Sequence, residues 1–409
     1  MGFDSATLSS DDYRANPAPV WKQMRDEHPL FHDESTDIWW LTRYEDVAAV
    51  FADYQTYSAS TYELSTGKVV GPTLISRDDY GHVVRRKMVA PDFVGKRLAA
   101  YGGEIERCAT ELIDGFAETG TADLVAQFSA RLPVDVISAM LGMVGDGDLF
   151  RQWVTDLIMG LAPDPALREK GLQAHQAFCA HIAPALENVD DPERMDHIAK
   201  IARADVDGQR LDTEEVTAFC GLLFIAGGET TDKAIANMWW NLLRSQDLFD
   251  EVIEHPQRWD AAFSETMRHT PPVISEDRFT TAPVEWHGVE LPAGARVRVC
   301  MGAAHRDETI FTDPDTFDPH RSDLHMGKEL RSGGSTDPSR SGHLGFGLGK
   351  HFCIGYELAR TEAVVGSTLI AERCRAIRET PGTQAEPIIQ GNAFQAVPEL
   401  RIDFDPWRT

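Results

Sequence analysis

The chain lacks most features that would set it apart from ordinary globular proteins. Its 409 residues include only six cysteines, with no CxxC pair, and contain no internal repeat, low-complexity tract or obvious linker. No uninterrupted apolar run approaches the 18 or so residues that a membrane helix needs. We therefore exclude a disulfide scaffold and a repeat array, and we expect reduced thiols and no transmembrane segment.

Basic residues are scarce. There are 39 Lys and Arg against 65 Asp and Glu, which gives a formal net charge of −26. Such a surface repels phosphate backbones and anionic lipids, so we expect neither a nucleic acid nor a membrane as a partner. The first residues, MGFDSATLSSDDY, have neither the basic nor the apolar part of a secretory signal, so the predicted location is cytoplasmic.

Apolar periodicity predicts a mainly helical chain with a minor β portion. We expect one domain over residues 1–409, with an approximate core of 15–405. Short β strands are predicted around Pro283 to Leu291 and Arg296 to Cys300. The 3.6-residue period predicts helices at Pro19 to Glu27, Val94 to Phe116, Thr121 to Leu141, Asp148 to Met159, Ala166 to Leu186, Thr213 to Leu243 and about Gly355 to Arg373.

One cysteine lies in a glycine-rich segment that leads directly into the last predicted helix. The segment reads Gly345-Phe346-Gly347-Leu348-Gly349-Lys350-His351-Phe352-Cys353-Ile354-Gly355. Glycines permit positive φ and close backbone approach, so several N–H groups can face one sulfur, and the helix start adds the positive end of its dipole. Both effects stabilise a thiolate, which makes Cys353 the candidate for chemistry.

A thiolate held in this way could be a nucleophile, a zinc ligand or a haem ligand. A nucleophile needs a base and an oxyanion hole, and the segment offers no obvious Asn or Asp partner. A zinc site needs about three more ligands, and only His351 is near in sequence. A haem iron needs a single axial thiolate, and the segment supplies one.

The spacing F-x-x-G-x-x-x-C-x-G resembles the haem-binding loop of the cytochrome P450 superfamily. The matching residues are Phe346, Gly349, Cys353 and Gly355, while His351 and Ala359-Arg360 resemble the same region of bacterial members. The resemblance implies the fold of that family, with haem b between a long central helix and the cysteine-containing loop. It also implies that Cys353 is the axial iron ligand and that Phe346, Gly349, His351 and Gly355 contact the haem.

Two upstream segments resemble the structural motifs of the same family. Glu265-Thr266-Met267-Arg268 resembles its ExxR motif, and Phe317-Asp318-Pro319-His320-Arg321 resembles its F-x-P-x-R segment. Positions i and i+3 share a helix face, so Glu265 and Arg268 can pair. The resemblance implies that Arg321 joins them and that all three residues support the proximal side of the haem pocket.

The segment Ala226-Gly227-Gly228-Glu229-Thr230-Thr231 lies inside the predicted helix Thr213 to Leu243. Each glycine in the interior of a helix lowers its stability by about 1 kcal/mol relative to Ala. Either a packing contact that needs a small residue or a widened helical turn would explain why glycine is present here. The segment resembles the A/G-G-x-E/D-T motif of the family. The resemblance implies that Ala226 and Gly227 contact the haem and that Glu229 and Thr230 are a catalytic acid–alcohol pair supplying protons for O2 cleavage.

The resemblance also implies cations for the two haem propionates. His82 and Arg86 match an H-x-x-x-R helix, and Arg278 and His351 would add further donors. The acidic pair Glu276-Asp277 directly precedes Arg278. It either tunes Arg278 or contacts a cationic or hydroxylated substrate, and we favour the first explanation.

The positions implied to contact the substrate are mainly apolar. We therefore expect a hydrophobic small molecule, such as a terpenoid, an aromatic compound or a polyketide or peptide natural product. The candidate contacts are Leu74, Ile75, Phe224, Ile225, Val273, Ile274 and Phe394.

The function implied by the resemblance is that of a haem-thiolate monooxygenase that activates O2 and hydroxylates or oxidatively dealkylates its substrate. Electrons from NAD(P)H would arrive through a ferredoxin reductase and a ferredoxin, since the chain has no flavin or iron–sulfur motif. A peroxide-driven peroxygenase and a non-catalytic haem sensor or carrier are the alternatives, and the Glu229-Thr230 pair argues against both.

Candidate cations for a ferredoxin-binding surface are Lys87, Lys96, Arg97, Lys350 and Arg360. The polar segment Ser322 to Gly342 is longer than its counterpart in related bacterial sequences. It is predicted to be either a solvated loop or a modifier of ferredoxin docking.

Overall fold

The longest predicted helix, Thr213–Leu243, is present with these same ends. The structure is a computed structural model that describes residues 3–324, 342–390 and 393–406. The predicted architecture, mainly α with a minor β portion, is confirmed. Most of the segment Ser322 to Gly342, with both predictions made for it, lies outside the described residues.

The helices are numbered here in chain order. They are α1 (Asp11–Ala15), α2 (Ala18–Glu27), α3 (Tyr44–Ala52), α4 (Thr66–Val70), α5 (Tyr80–Val89), α6 (Gly95–Ala99), α7 (Gly102–Asp114), α8 (Leu132–Met140), α9 (Gly147–Met159), α10 (Pro165–Glu187), α11 (His197–Arg203), α12 (Thr213–Leu243), α13 (Gln246–Glu254), α14 (Trp259–His269), α15 (Met301–Ala304) and α16 (Tyr356–Arg373).

The strands form one larger sheet and several small ones. They are β1 (Leu30–Asp33), β2 (Ile38–Leu41), β3 (Tyr57–Ser58), β4 (Thr121–Asp123), β5 (Ser275–Thr280), β6 (Val284–Trp286), β7 (Val289–Leu291), β8 (Arg296–Cys300), β9 (Cys374–Glu379), β10 (Ile388–Gln390), β11 (Phe394–Ala396) and β12 (Arg401–Pro406). The larger sheet has the order β1-β2-β8-β5-β3, and the small sheets have the orders β4-β12-β9, β6-β7 and β10-β11.

The chain divides into two compact units. The first unit consists of residues 1–59, 233–353 and 377–403, and the second of residues 60–232, 354–376 and 404–409. Helix α12 and strands β9 and β12 each continue across a boundary between the units. The expected single domain over residues 1–409 stays a prediction.

The five-stranded sheet is the centre of the first unit. Strand β8 pairs in parallel with β2 and antiparallel with β5. Alternate residues of a strand face opposite sides, so Val297 and Val299 of β8 enter one apolar cluster with Leu41 and Phe51. A second cluster collects Trp21, Trp40 and Ile274 with other buried residues.

The second unit is built mainly from helices, and several of them begin at an aspartate. The side chains of Asp79, Asp146, Asp164 and Asp196 each accept a backbone N–H in the first turn of the helix that follows. Such caps satisfy N–H groups that have no partner within the helix, so they fix where α5, α9, α10 and α11 start.

Two of the predicted helices were wrong in part. The prediction Val94 to Phe116 is divided into α6 and α7, which are separated before Gly102-Gly103, two residues of low helix propensity. The start of the prediction Thr121 to Leu141 is strand β4, because Gly120 adopts φ +79° and its carbonyl accepts the N–H of Phe404. This pairing with another part of the chain overrides the local helical periodicity.

None of the helices in the described part of the chain combines the length and the apolar character that a bilayer crossing requires.

Candidate active site

Residues 342–353, which we call the cysteine loop, are folded by short-range backbone hydrogen bonds in the first unit. The N–H of Gly347 donates to the carbonyl of Leu344 at 2.8 Å, and the N–H of Phe352 donates to that of Gly349 at 3.1 Å. The N–H of Cys353 reaches back to the carbonyl of Phe346 at 2.9 Å. These bonds close two turns and set the backbone position of Cys353.

Three glycines of the cysteine loop are required by its geometry. Gly347 has φ +69° and Gly349 has φ +68°, both in the left-handed region that side chains disfavour. A Cβ atom on Gly345 would lie 2.9 Å from the carbonyl oxygen of Met267 in helix α14. The loop backbone therefore lies directly against α14, the helix that carries the ExxR motif.

Cys353 differs from the other five cysteines, all of which fall within the described residues. Its side chain is exposed, whereas Cys179 is half-buried and the remaining four are buried. Burial raises the pKa of Cys108 to about 12 and the pKa of both Cys300 and Cys374 to about 11. The pKa values of Cys179 and Cys220 are also raised by burial. The thiolate is disfavoured at all five of these positions, so Cys353 is the accessible thiol.

Glu265, Arg268 and Arg321 form one buried network, as their motifs implied. The Nε and Nη2 atoms of Arg268 donate to the carboxylate of Glu265 at 2.8 and 2.6 Å. Arg321 Nε donates to the same carboxylate at 3.0 Å, and so does the N–H of Asp318 at 2.9 Å. Both Glu265 and Arg268 are 0% exposed. Buried charges are tolerated when every partner is supplied, and here four N–H groups serve one carboxylate.

The acidic pair Glu276-Asp277 lies in strand β5, so the two residues are on opposite faces of the sheet. Arg278 is buried, donates to Glu276 Oε2 at 3.2 Å and lies 5.2 Å from the ring centre of Phe51. Asp277 instead accepts hydrogen bonds from Arg296 and Arg298. Glu276 is thus the acid beside Arg278, while Asp277 belongs to the sheet. Whether the pair tunes Arg278 or contacts a substrate stays a prediction.

The predicted substrate contacts of the first unit are only partly brought together. Val273 and Phe394 face each other in an isolated β-bridge. Ile274 is a buried member of the cluster around Trp21 and Trp40, so its side chain is accounted for by core packing. Sequence reasoning missed Lys233, which is buried and lies with Nζ 5.9 Å from the centre of the Phe394 ring.

In the second unit, the glycine segment of α12 remains α-helical. The Oγ1 of Thr230 donates to the carbonyl of Ala226 at 2.8 Å. The segment is α-helical throughout, so the widened turn considered for it does not take the form of another helix type. A Cβ atom on Gly228 would lie 3.1 Å from both Val134 and Val154. Packing against α8 and α9 therefore explains this glycine.

Ala226 is exposed and Thr230 is half-exposed, although the residues before and after them on α12 are mostly buried. Positions four apart share a helix face, so the two residues lie on one accessible face of an otherwise enclosed helix. Leu222, four residues before Ala226, is buried, so the accessible part of this face does not extend to it.

Phe224 does not lie on this face. It is 0% exposed, and its ring stacks on Phe178 at 5.0 Å between centres and meets Phe150 edge-on at 6.4 Å. Aromatic packing against α9 and α10 accounts for its side chain. Its neighbour Ile225 is also buried.

Helix α5 carries His82 and Arg86 on one face. Asp79 caps the helix by accepting the N–H of His82, and the pKa of Asp79 is lowered to about 2, chiefly by hydrogen bonds from Arg77. His82 is buried and Arg86 is half-buried. The substrate candidates Leu74 and Ile75 lie in the short helical turn that precedes α5.

The candidate residues are divided between the two units. The first unit contains Cys353, Phe346, Gly349, His351, Arg278, Glu265, Arg268, Arg321, Val273, Ile274 and Phe394. The second contains Glu229, Thr230, Ala226, Gly227, His82, Arg86, Gly355, Leu74, Ile75, Phe224 and Ile225. Gly355 is the N-cap residue of α16.

In the first unit the residues present fit a haem ligated by one thiolate, because the loop offers a single exposed thiol and Arg278 is a buried cation. In the second unit, taken by itself, α12 offers an accessible face that carries Ala226 and Thr230. Within residues 3–324, 342–390 and 393–406, no group of three or more His, Cys, Asp or Glu side chains is arranged to bind a metal ion.

Comparison with known proteins agrees with this chemistry. Residues 168–402 match the family model described as Cytochrome P450. The chain is 31% identical to cyclomarin C epoxidase CymV of Salinispora arenicola over 368 residues, covering 88% of this chain and 89% of that protein. It is 29% identical to a steroid C26-monooxygenase of Mycolicibacterium smegmatis, over 95% of this chain and 92% of that protein.

A solved structure shows the same architecture. Cytochrome P450 CYP109Q5 from Chondromyces apiculatus superimposes with a TM-score of 0.85 at 26% sequence identity, covering 98% of both chains.

Proposed function

Because the chain belongs to the cytochrome P450 family and is a monooxygenase of that family, we propose that Cys353 would ligate its haem iron through a thiolate and that Glu229 and Thr230 supply protons. Members of this family use haem and O2. Bound haem would supply the redox chemistry by which one oxygen atom of O2 reaches the substrate. The protein positions the group, donates protons and selects the substrate.

The observation that carries this proposal is the contrast between Cys353 and the other cysteines. Only at Cys353 is the thiol exposed, and it follows a loop whose backbone is fixed by hydrogen bonds to Phe346 and Gly349. The other five thiols have pKa values raised by burial, so a thiolate is costly there. Around the haem, Phe346, Gly349, His351 and Gly355 would line the cysteine side, while His82, Arg86 and Arg278 would bind the propionates.

The proton supply rests on the accessible face of α12. Thr230 Oγ1 lies on the same face as Ala226, whose carbonyl accepts its hydroxyl hydrogen at 2.8 Å. Rotation about the Thr230 side chain would release this hydrogen for donation, and Glu229, the preceding residue in sequence, is assigned the role of returning a proton to Oγ1. Ala226 leaves room on this face because its side chain is small, whereas Gly227 faces Ile137 of α8.

The substrate is proposed to be a hydrophobic small molecule that is hydroxylated, epoxidised or oxidatively dealkylated. The relatives compared above are named for the oxidation of cyclomarin C and of a steroid. Of the candidate contacts, Leu74, Ile75, Ile225, Val273 and Phe394 remain the apolar set. Steroids are therefore the first compounds to test by the shift in the haem spin state that substrate binding produces.

Electrons are proposed to arrive from NAD(P)H through a reductase and a ferredoxin that binds a local basic surface. Lys87 and Lys96 are exposed, and Arg97, although bonded to Asp92 at 3.2 Å, has a side chain that is 67% exposed. The N–H of Gly95 donates to Glu357 at 3.1 Å, which ties the start of α6 to the start of α16, the helix of Arg360. Lys350 lies 4.0 Å from the centre of the Tyr54 ring. Although this protein is acidic overall, it thus has cationic side chains that an acidic ferredoxin can bind.

The test of the ligand is the Soret band of the purified protein after reduction and addition of carbon monoxide. The wild type is expected to show the strongly red-shifted band of thiolate ligation, and Cys353→His is expected to lose it. Cys179→Ser, which alters the half-buried thiol, is the matched control and is expected to keep the wild-type band. A wild-type band at the histidine-like position, or a Cys353→His variant with an unchanged band, contradicts the proposal.

The proton relay separates the monooxygenase from the peroxygenase and sensor alternatives. In Thr230→Ala, product formation with NADH, ferredoxin and reductase is expected to fall by roughly 10²-fold or more, with the electrons appearing as hydrogen peroxide. Thr230→Ser keeps the hydroxyl and is expected to retain most of the coupling. Wild-type turnover with peroxide alone, with none from NADH, would support the peroxygenase instead.

A further inference from the structure

His305 lies between the buried ion-pair network and the cysteine loop. Its backbone carbonyl accepts a hydrogen bond from Arg268 Nη1 at 2.9 Å, the guanidinium nitrogen that is not bonded to Glu265. Its own N–H donates to Met301 O at 2.9 Å, at the end of helix α15. The main chain of His305 is therefore fixed by the arginine of the ExxR motif.

The side chain of His305 points to the cysteine loop. The ring is 0% exposed, and its Nε2 accepts the backbone N–H of Leu344 at 2.7 Å. A ring nitrogen can accept only when it carries no proton, so this bond assigns the neutral tautomer with hydrogen on Nδ1. Leu344 is itself buried, and its carbonyl accepts the N–H of Gly347 in the first turn of the loop.

The surroundings of His305 favour its neutral imidazole. Burial lowers its pKa well below the ordinary value, and the nearby His343, Arg268 and Arg306 lower it further. A backbone hydrogen bond with Arg268 raises the pKa. The direction of the shift agrees with the geometry, in which Nε2 accepts the N–H of Leu344.

From this geometry we infer that His305 is a positioning residue for Cys353. It connects Arg268, through its carbonyl oxygen, to Leu344, through Nε2, and thereby fixes the start of the loop that ends at the thiolate. The inference rests on the proposed role of Cys353. Nothing in the sequence motifs pointed to His305, because it lies outside both the ExxR and the F-x-P-x-R segments.

Three variants test the inference. His305→Phe keeps a flat ring but has no acceptor, whereas His305→Gln places an amide oxygen near the position of Nε2. His197→Phe is the control for loss of a buried imidazole, because His197 is 0% exposed and lies in α11, outside the cysteine loop. The readouts are amide hydrogen exchange of the peptide 342–353 and the Soret band of the reduced carbon monoxide complex.

In His305→Phe the Leu344 amide is expected to exchange about tenfold faster, as the loss of one buried hydrogen bond allows. A fraction of the carbon monoxide complex is expected to lose the thiolate band. His305→Gln is expected to restore both properties, and His197→Phe to leave both unchanged. A folded His305→Phe protein with wild-type exchange and spectrum would overturn the inference.

A measurement that does not need His305→Phe covers the case in which that variant does not fold. Nitrogen NMR of histidine-labelled holoenzyme is expected to show His305 as the Nδ1-protonated tautomer with an acceptor Nε2, assigned with His305→Gln. The opposite tautomer would overturn the inference. If the wild-type protein itself lacks the thiolate band, the proposed function fails, while the exchange and tautomer results still decide whether His305 holds Leu344.

Discussion

Two glutamates are buried, one on a helix of each unit, and they differ in whether their carboxyl groups have hydrogen-bond partners. Glu265 of α14 is 0% exposed and accepts four N–H groups from Arg268, Arg321 and Asp318. Glu362 of α16 is 2% exposed, and its Oε2 has no hydrogen-bond partner among the described residues. Burial raises the pKa of Glu362 to about 8.

The difference shows what a buried carboxyl group contributes in each place. With cationic partners, Glu265 joins three chain segments through Arg268 and Arg321, so it organises the region beside the cysteine loop. Without partners, Glu362 is protonated at neutral pH and behaves as a neutral side chain, at a cost whenever the unfolded chain would prefer it ionised. We expect the first to be essential for the fold and the second to be replaceable.

The largest effect is expected from Arg268→Met. It leaves the Glu265 carboxylate buried without its main partner, which costs about 3–5 kcal/mol of the free energy of unfolding. Urea unfolding followed by circular dichroism measures this. The double variant Glu265→Leu/Arg268→Met removes both charges and is expected to recover part of the loss; a single variant as stable as the wild type would contradict the network's role.

A smaller, pH-dependent effect is expected from Glu362→Gln. Because the folded-state pKa of Glu362 is raised from 4.5 to about 8, its unfavourable contribution is absent below pH 4.5. It grows as pH rises toward 8, since the unfolded chain ionises first. Between pH 5 and pH 7 the wild type should lose about 2–3 kcal/mol relative to Glu362→Gln, at about 1.4 kcal/mol per pH unit.

Urea unfolding of both proteins at a series of pH values measures that difference. Glu357→Gln, on the same helix but bonded to the exposed N–H of Gly95, is the control and should not reproduce the pH dependence. Parallel stability curves for wild type and Glu362→Gln would mean that Glu362 has a partner and that the two glutamates are alike.

The smallest effect is expected from an exposed network. Arg107 of α7 donates to Glu104 and Glu111, and its side chain is 49% exposed. Arg107→Gln should cost less than about 1 kcal/mol, because water screens such pairs and replaces their hydrogen bonds. Thermal unfolding at low and high salt would measure this loss of stability. A loss as large as that of Arg268→Met would show that burial does not explain why the two networks differ.

The sequence indicated Glu265 but not Glu362, for a physical reason. Glu265 has an arginine at i+3, the spacing at which side chains of a helix meet. The i±3 and i±4 positions of Glu362 are all apolar or glycine, namely Leu358, Ala359, Val365 and Gly366. This pattern indicates that Glu362 lies on a buried helix face, but a search for motifs does not detect it. Its burial follows from which helix face packs inward.

The same distinction applies to the candidate site. The spacing of residues in the sequence was sufficient to predict the cysteine loop, because local backbone geometry requires Gly345 and Gly349. It was insufficient to predict the surroundings of Phe224 and Ile274, whose side chains pack into apolar clusters. It also did not indicate His305, whose hydrogen bond to Leu344 joins residues 39 positions apart in sequence. Contacts between distant segments depend on the tertiary fold, and a local pattern does not contain them.

Mass-spectrometric mapping of cysteine alkylation, with and without haem, tests the central claim most directly. In the haem-free protein, Cys353 is expected to react with iodoacetamide first, since the other five thiols are buried or half-buried with raised pKa values. Adding haem should protect Cys353 and leave the pattern at the other cysteines unchanged. Equal labelling of Cys353 in both states, or protection of a different cysteine, would contradict the assignment of Cys353 as the haem ligand.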